Sequence, residues 1–86
     1  MISKQIMDAM EEMNPEAMYP TGYEDCIVGY SNGINSQPLF IMSVRMILDK
    51  LVKDDGMTEE EALEYFDYNI GGAYMGENTP IYMWEE

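Results

Sequence analysis

Eighty-six residues, 47% apolar and 12% aromatic, make one small globular domain (1–86) with a thin core, since a chain this short buries only about 60–65% of its unfolded surface. Seventeen acids against four bases set a net charge of −13, which repels nucleic acid and anionic membrane surfaces alike. With no histidine there is no imidazole general base, no Cys–His or Ser–His pair and no Glu-x-x-His metal motif.

Cys26 is the single cysteine, so no intramolecular disulfide can form, which suits a reducing compartment. Residues 1–8 carry one lysine and no apolar run, unlike a signal peptide, and no segment approaches the ~18 apolar residues of a membrane span. The expected location is the cytoplasm.

In chain order, Ile2, Ile6, Met10 and Met13 fall at i, i+4, i+8 and i+11, a stripe that predicts a helix over 1–13. It stops near Asn14, because the residue before Pro15 avoids the α region. Residues 15–22 read as loop. Two β-favouring runs, 26–30 and 38–42, flank a stretch of turn formers around Asn32-Gly33, which predicts a hairpin over 23–42. Ser43 is the expected N-cap of a helix over 43–55, with Val44, Ile47, Leu48, Leu51 and Val52 on one face and Gly56 as its left-handed stop.

Thr58 and Glu61 then form a capping box, with Met57 stapling onto Ala62, at the start of an acidic helix over 58–74. Its inward stripe is Ala62, Phe66, Ile70 and Ala73, with Leu63 beside it. Gly71-Gly72 costs ~1 kcal/mol per residue inside a helix, so either the helix ends there or close packing demands the missing side chains. A turn over 76–80 leads to a last strand over 80–84. The fold class is therefore α+β, order α-β-β-α-α-β, with a short antiparallel sheet packed by helices.

Several catalytic and binding chemistries fail on residue types. The glycine-rich 71–77 lacks the Gly-Lys-Ser/Thr ending that meets phosphate, and Glu77 repels an anion. Asp54-Asp55-Gly56 misses the alternate ligand positions of a calcium loop. Glu60, Glu64 and Asp67 share a helix face but have no histidine to complete a metal site, so neither metal nor cofactor is expected. Glycosidase-like carboxylate pairs need a walled cleft for which so short a chain leaves little room. Cys26, with apolar neighbours and no local base, reads as core.

The charge distribution is more informative than its total. Residues 1–53 hold seven acids and all four bases, whereas residues 54–86 hold ten acids and no base. Soluble surfaces ordinarily intersperse the two signs. The bland explanation is partial: acids at 59–61 complement the helix dipole, while Glu60 and Glu64 repel at i, i+4. The functional explanation is mimicry of nucleic acid. Carboxylates four residues apart stand ~6 Å apart along a helix, within reach of lysines and arginines that track a phosphate backbone. Tyr65 and Tyr68 flank them as interface anchors.

The stretch Met57-Thr58-Glu59-Glu60-Glu61-Ala62-Leu63-Glu64-Tyr65-Phe66-Asp67-Tyr68-Asn69-Ile70-Gly71-Gly72-Ala73-Tyr74-Met75-Gly76-Glu77-Asn78-Thr79-Pro80 resembles a segment of small acidic phage and prophage proteins. Those proteins read roughly Glu-Ala-x-Glu-Phe-Phe-Glu-Phe-Asn and then Gly-Ala-Tyr-x-Gly-Glu-x-Thr-Pro. A weaker match is Tyr23-Glu24-Asp25-Cys26-Ile27-Val28-Gly29-Tyr30, and the resemblance with its flanks spans over a third of the chain. It implies a phage-encoded intracellular protein and carries over no catalytic residue. As a class, such proteins resemble inhibitors of host nucleic-acid machinery, anti-CRISPR and anti-restriction proteins among them.

The expectation is a binding protein, not an enzyme. It would occupy a basic nucleic-acid site on a host defence protein through Asp54, Asp55, Glu60, Glu61, Glu64, Asp67, Tyr68 and Glu77, with no direct contact to nucleic acid or membrane. The alternative is a phage accessory protein that binds a host or phage component without mimicry. Self-association is compatible with either. Ten methionines could make an adaptable contact surface but more simply fill a small core.

Overall fold

The structure, a computed structural model, describes residues 2–32, 37–73 and 76–85. The first helix, α1 (Ile2–Met13), buries Ile6 and Met10 and half-buries Met13, as the stripe predicts; the Ile2 side chain lies outside the described residues. Asn14 ends α1 and does more than the sequence suggests. Only 4% exposed, it donates from its amide to the Pro38 carbonyl (2.9 Å) and to Asn78 Oδ1 (3.0 Å). Its Oδ1 accepts from the Glu16 N–H at 3.2 Å, so the buried amide has no orphaned hydrogen-bonding group.

The hairpin forms as predicted. Strands β1 (Ile27–Tyr30) and β2 (Phe40–Ser43) pair antiparallel, Ile27 opposite Met42 and Gly29 opposite Ile41. Val28 is the extra residue of a bulge and stands exposed. Ser31 and Leu39 close the ladder, the Ser31 N–H bonding the Leu39 carbonyl at 2.8 Å and the Leu39 N–H the Ser31 hydroxyl at 2.9 Å. Much of the expected Asn-Gly turn, residues 33–36, lies outside the described residues.

The last strand, β3 (Ile81–Met83), joins the other side of β2 in parallel, Ile41 opposite Ile81 and Ser43 opposite Met83. The expected antiparallel sheet is thus found only in the hairpin: the sheet, order β1-β2-β3, is mixed, with β3 parallel to β2. Parallel neighbours need a long crossover, which two helices supply here. Asn14 explains where that crossover lands, since it ties Asn78 to Pro38 at the starting end of β2. The chain therefore reaches β3 beside the starting end of β2 and runs in the same direction.

Ser43 caps α2 (Val44–Asp55), its hydroxyl accepting from the Met46 N–H at 3.1 Å and donating to the Glu85 carboxylate. Val44, Ile47 and Leu51 are buried, Leu48 is half-buried, and Val52, expected on the same stripe, is exposed. Gly56 ends α2 at φ +69°, where a side chain would be strained. The capping box at α3 (Glu59–Phe66) forms in full. Glu61 N–H bonds Thr58 Oγ1 at 3.1 Å and Thr58 N–H bonds Glu61 Oε1 at 2.9 Å, while Met57 packs on the core.

The acidic helix is shorter than expected over 58–74. Beyond Phe66 it widens into a π-helical turn, Asp67–Gly71, and stops; residue 74 lies outside the described residues. Both readings of the glycine pair hold. A Cβ on Gly71 would sit 2.7 Å from the Phe66 ring, and one on Gly72 would collide with the Asp67 carbonyl oxygen. Of the inward stripe, Ala62, Phe66 and Ile70 are buried and Ala73 half-buried, whereas Leu63 is exposed.

One core gathers these faces: Ile6 and Met10 from α1, Ile27, Phe40 and Met42 from the sheet, and the stripes of α2 and α3. Edge-to-face ring contacts reinforce it, Tyr19 on Phe40 at 5.6 Å and Phe66 on Tyr82 at 5.3 Å. Cys26 belongs to it as expected, and burial, with Asp25 beside it, pushes its thiol up to about 11.

Candidate functional site: an acidic, tyrosine-lined groove

The eight sequence-predicted residues are all exposed, but the structure does not gather them into one patch. Glu61, Glu64 and Tyr68 line an open groove of about 320 Å³ along α3, together with Met57, Tyr65 and Asn69. The spacing explains the set. Residues 57, 61, 65 and 68 recur at i+4 and i+3, so they form one side of the helix. Glu60 and Asp67 stand on the same helix outside the groove lining, and Asp55 lies at the end of α2.

Local hydrogen bonds and ion pairs divide these carboxylates further. Glu61 spends one oxygen on the capping box. Asp54 lies 3.9 Å from Lys50, a cation that also meets Asp25 at 3.4 Å. The Asp25 hydrogen bond raises the Lys50 ammonium pKa above its ordinary value, so the lysine stays charged. Arg45 reaches Asp49 and Glu59, each at 3.7 Å. Among the described residues no lysine or arginine pairs with Asp55, Glu60, Glu64, Asp67 or Glu77. Glu77 sits apart from the groove, on the turn that Asn14 holds against the end of α1.

Tyr68, 83% exposed, is the most prominent apolar surface on this face, with Tyr65 beside it. Half-buried Tyr23 borders the same region. Burial pushes its phenol up, and the nearby Tyr65 and Asp55 push in the same direction. Tyr65, Met57 and Asn69 therefore belong with the groove although they fall outside the eight. The i, i+4 recurrence from Met57 through Glu61 to Tyr65 is the signal that marks them.

Rigid aromatic rings between uncompensated carboxylates suit a cationic partner, since tyrosine faces attract guanidinium and ammonium groups as the carboxylates do. Among the described residues no three of Cys, Asp and Glu converge to hold a metal ion. Among the described residues no helix is long and apolar enough to cross a membrane. No protein-family model, curated protein or solved structure matches this chain.

Proposed function

We propose that the chain is a phage-encoded binding protein whose α3 face occupies a basic, nucleic-acid-binding surface on a host defence protein, in the manner of an anti-CRISPR-like acidic mimic. The observation that carries this reading is the set Asp55, Glu60, Glu64 and Asp67, exposed and without a cationic partner among the described residues, beside the exposed rings of Tyr65 and Tyr68. Isolated surface charges contribute little, but a one-sign face raises the local concentration of an oppositely charged partner and speeds encounter. The phage resemblance of 57–80 supports the origin.

The test is competition. Immobilised chain is loaded with bacterial lysate, and the retained protein is purified and titrated against the chain with and without duplex DNA. Displacement by DNA, and an affinity that falls steeply as salt rises and the Debye length shrinks from about 10 Å at 0.1 M to 3 Å at 1 M, are expected. An affinity indifferent to both DNA and salt excludes mimicry.

A further inference from the structure

The groove along α3 has walls of two kinds. Tyr65 and Tyr68 supply aromatic rings, and Glu61 and Glu64 supply carboxylates. Glu61 keeps one oxygen on the Thr58 N–H, while no lysine or arginine among the described residues pairs with Glu64. None of the chain's four cations lines the groove; Arg45 and Lys50 are engaged by Asp49, Glu59, Asp25 and Asp54. At about 320 Å³ the groove stands at the small end of the roughly 300–1,000 Å³ range of ligand sites, a scale that suits one inserted side chain.

We propose that this groove takes an arginine side chain of the basic partner, in preference to a lysine. The inference rests on the reading of the α3 face as a site for a basic partner, and adds which cation that site reads. Charge alone does not discriminate, since Glu64 attracts either cation. Shape and hydration do. A guanidinium is planar and weakly hydrated, stacks on an aromatic face and offers a carboxylate two parallel N–H groups, whereas an ammonium is a compact, strongly hydrated point charge. Glu64 and Tyr68, four residues apart and both lining the groove, offer the carboxylate and the ring that such a fork uses at once. Met57 adds a polarisable apolar wall for the arginine stem. An apolar side chain would gain nothing from Glu64, and an anion would be repelled by it.

The probes are hexa-arginine and hexa-lysine peptides, equal in charge, titrated calorimetrically into the whole chain at about 0.1 M salt. The arginine peptide should bind at least ten-fold more tightly, with amide shifts centred on residues 57–69. Tyr68 is 83% exposed, so Tyr68→Ala should keep the fold. It should bring the two affinities within about two-fold of each other, whereas Tyr68→Phe, which retains the ring, should keep the preference. Equal affinities in the parent, no binding of either peptide, or a preference that survives Tyr68→Ala overturns the inference. Should Tyr68→Ala fail to fold by circular dichroism, the parent's amide shifts decide: shifts at 57–69 support the groove, and shifts confined elsewhere overturn it.

The two readings fail separately. A captured protein displaced by DNA, from a chain that does not prefer arginine, keeps mimicry and removes the arginine groove. An arginine preference at the groove, with a captured protein indifferent to DNA and salt, keeps the groove and removes mimicry.

Discussion

Helices α2 and α3 are neighbours in sequence and pack on each other, yet they treat charge in opposite ways. Helix α2 carries three cations and three acids, and Arg45 and Lys50 pair within it, with Asp25 and with Glu59. From Glu59 to Gly71 the chain carries five acids and no cation. Both form for the same reasons, a side-chain cap and an apolar stripe on one core. Charge is thus not what makes α3 a helix. Of its acids, Glu61 belongs to the cap and Glu59 pairs with Arg45, whereas Glu60, Glu64 and Asp67 pair with no lysine or arginine among the described residues, and it is these three that the proposed function concerns.

The helices also differ in how they are anchored. Helix α2 buries Val44, Ile47 and Leu51, whereas α3 relies on Ala62 and one large ring, Phe66, extended by Ile70 in the π turn. The sharpest way to break the pair is therefore Phe66→Ala, which removes the ring contacts to Tyr82 and Trp84. A loss of about 3–5 kcal/mol is expected in urea unfolding, enough to unfold much of so small a domain.

Removing the caps should show that the helices start alike. Thr58→Ala should cost about 1 kcal/mol. Ser43→Ala should cost more, up to about 2 kcal/mol, because it also leaves Glu85 without its hydroxyl partner. Parallel urea titrations measure both, and equal costs would deny Glu85 a structural part.

A smaller effect comes from Cys26 beneath α2. Its folded pKa of about 11 lies above the ordinary 9.0, so the protonated thiol's contribution is complete below pH 9 and is lost as pH rises toward 11. Melting temperature should fall across that window, and less steeply in Cys26→Ala. The phenols of Tyr23 and Tyr82, raised above their ordinary 10.0 by burial, act in the same direction as pH rises past that value. An identical alkaline slope in Cys26→Ala would remove the thiol from this account.

The elements legible in the sequence are those set by local rules: the capped starts of α2 and α3, the left-handed Gly56 and the hairpin. What escaped depends on distant partners. The orientation of β3 follows from Asn14 clasping Asn78 and Pro38, contacts 64 and 24 residues away that no periodicity encodes. Glu85, counted in the sequence as one more surface acid, is a structural partner of Ser43 for the same reason. The candidate site was legible as an acidic, tyrosine-bearing face, while its division into a groove, paired Asp54 and distant Glu77 required the fold.

The contrast between the two helices is tested most directly by reversing charge on α3 alone. With the DNA-competed partner in hand, Glu60→Lys/Glu64→Lys/Asp67→Lys is compared by calorimetric titration with the parent and with a Glu11→Lys/Glu12→Lys control on α1. All five residues are exposed, so the fold should survive, since surface substitutions usually stay within about 0.5 kcal/mol each. Binding by the α3 variant should fall by about 100-fold or more, because like charges set face to face cost several kcal/mol, while the control loses less than about three-fold. A folded α3 variant, verified by circular dichroism and melting, that binds as tightly as the parent would contradict the account.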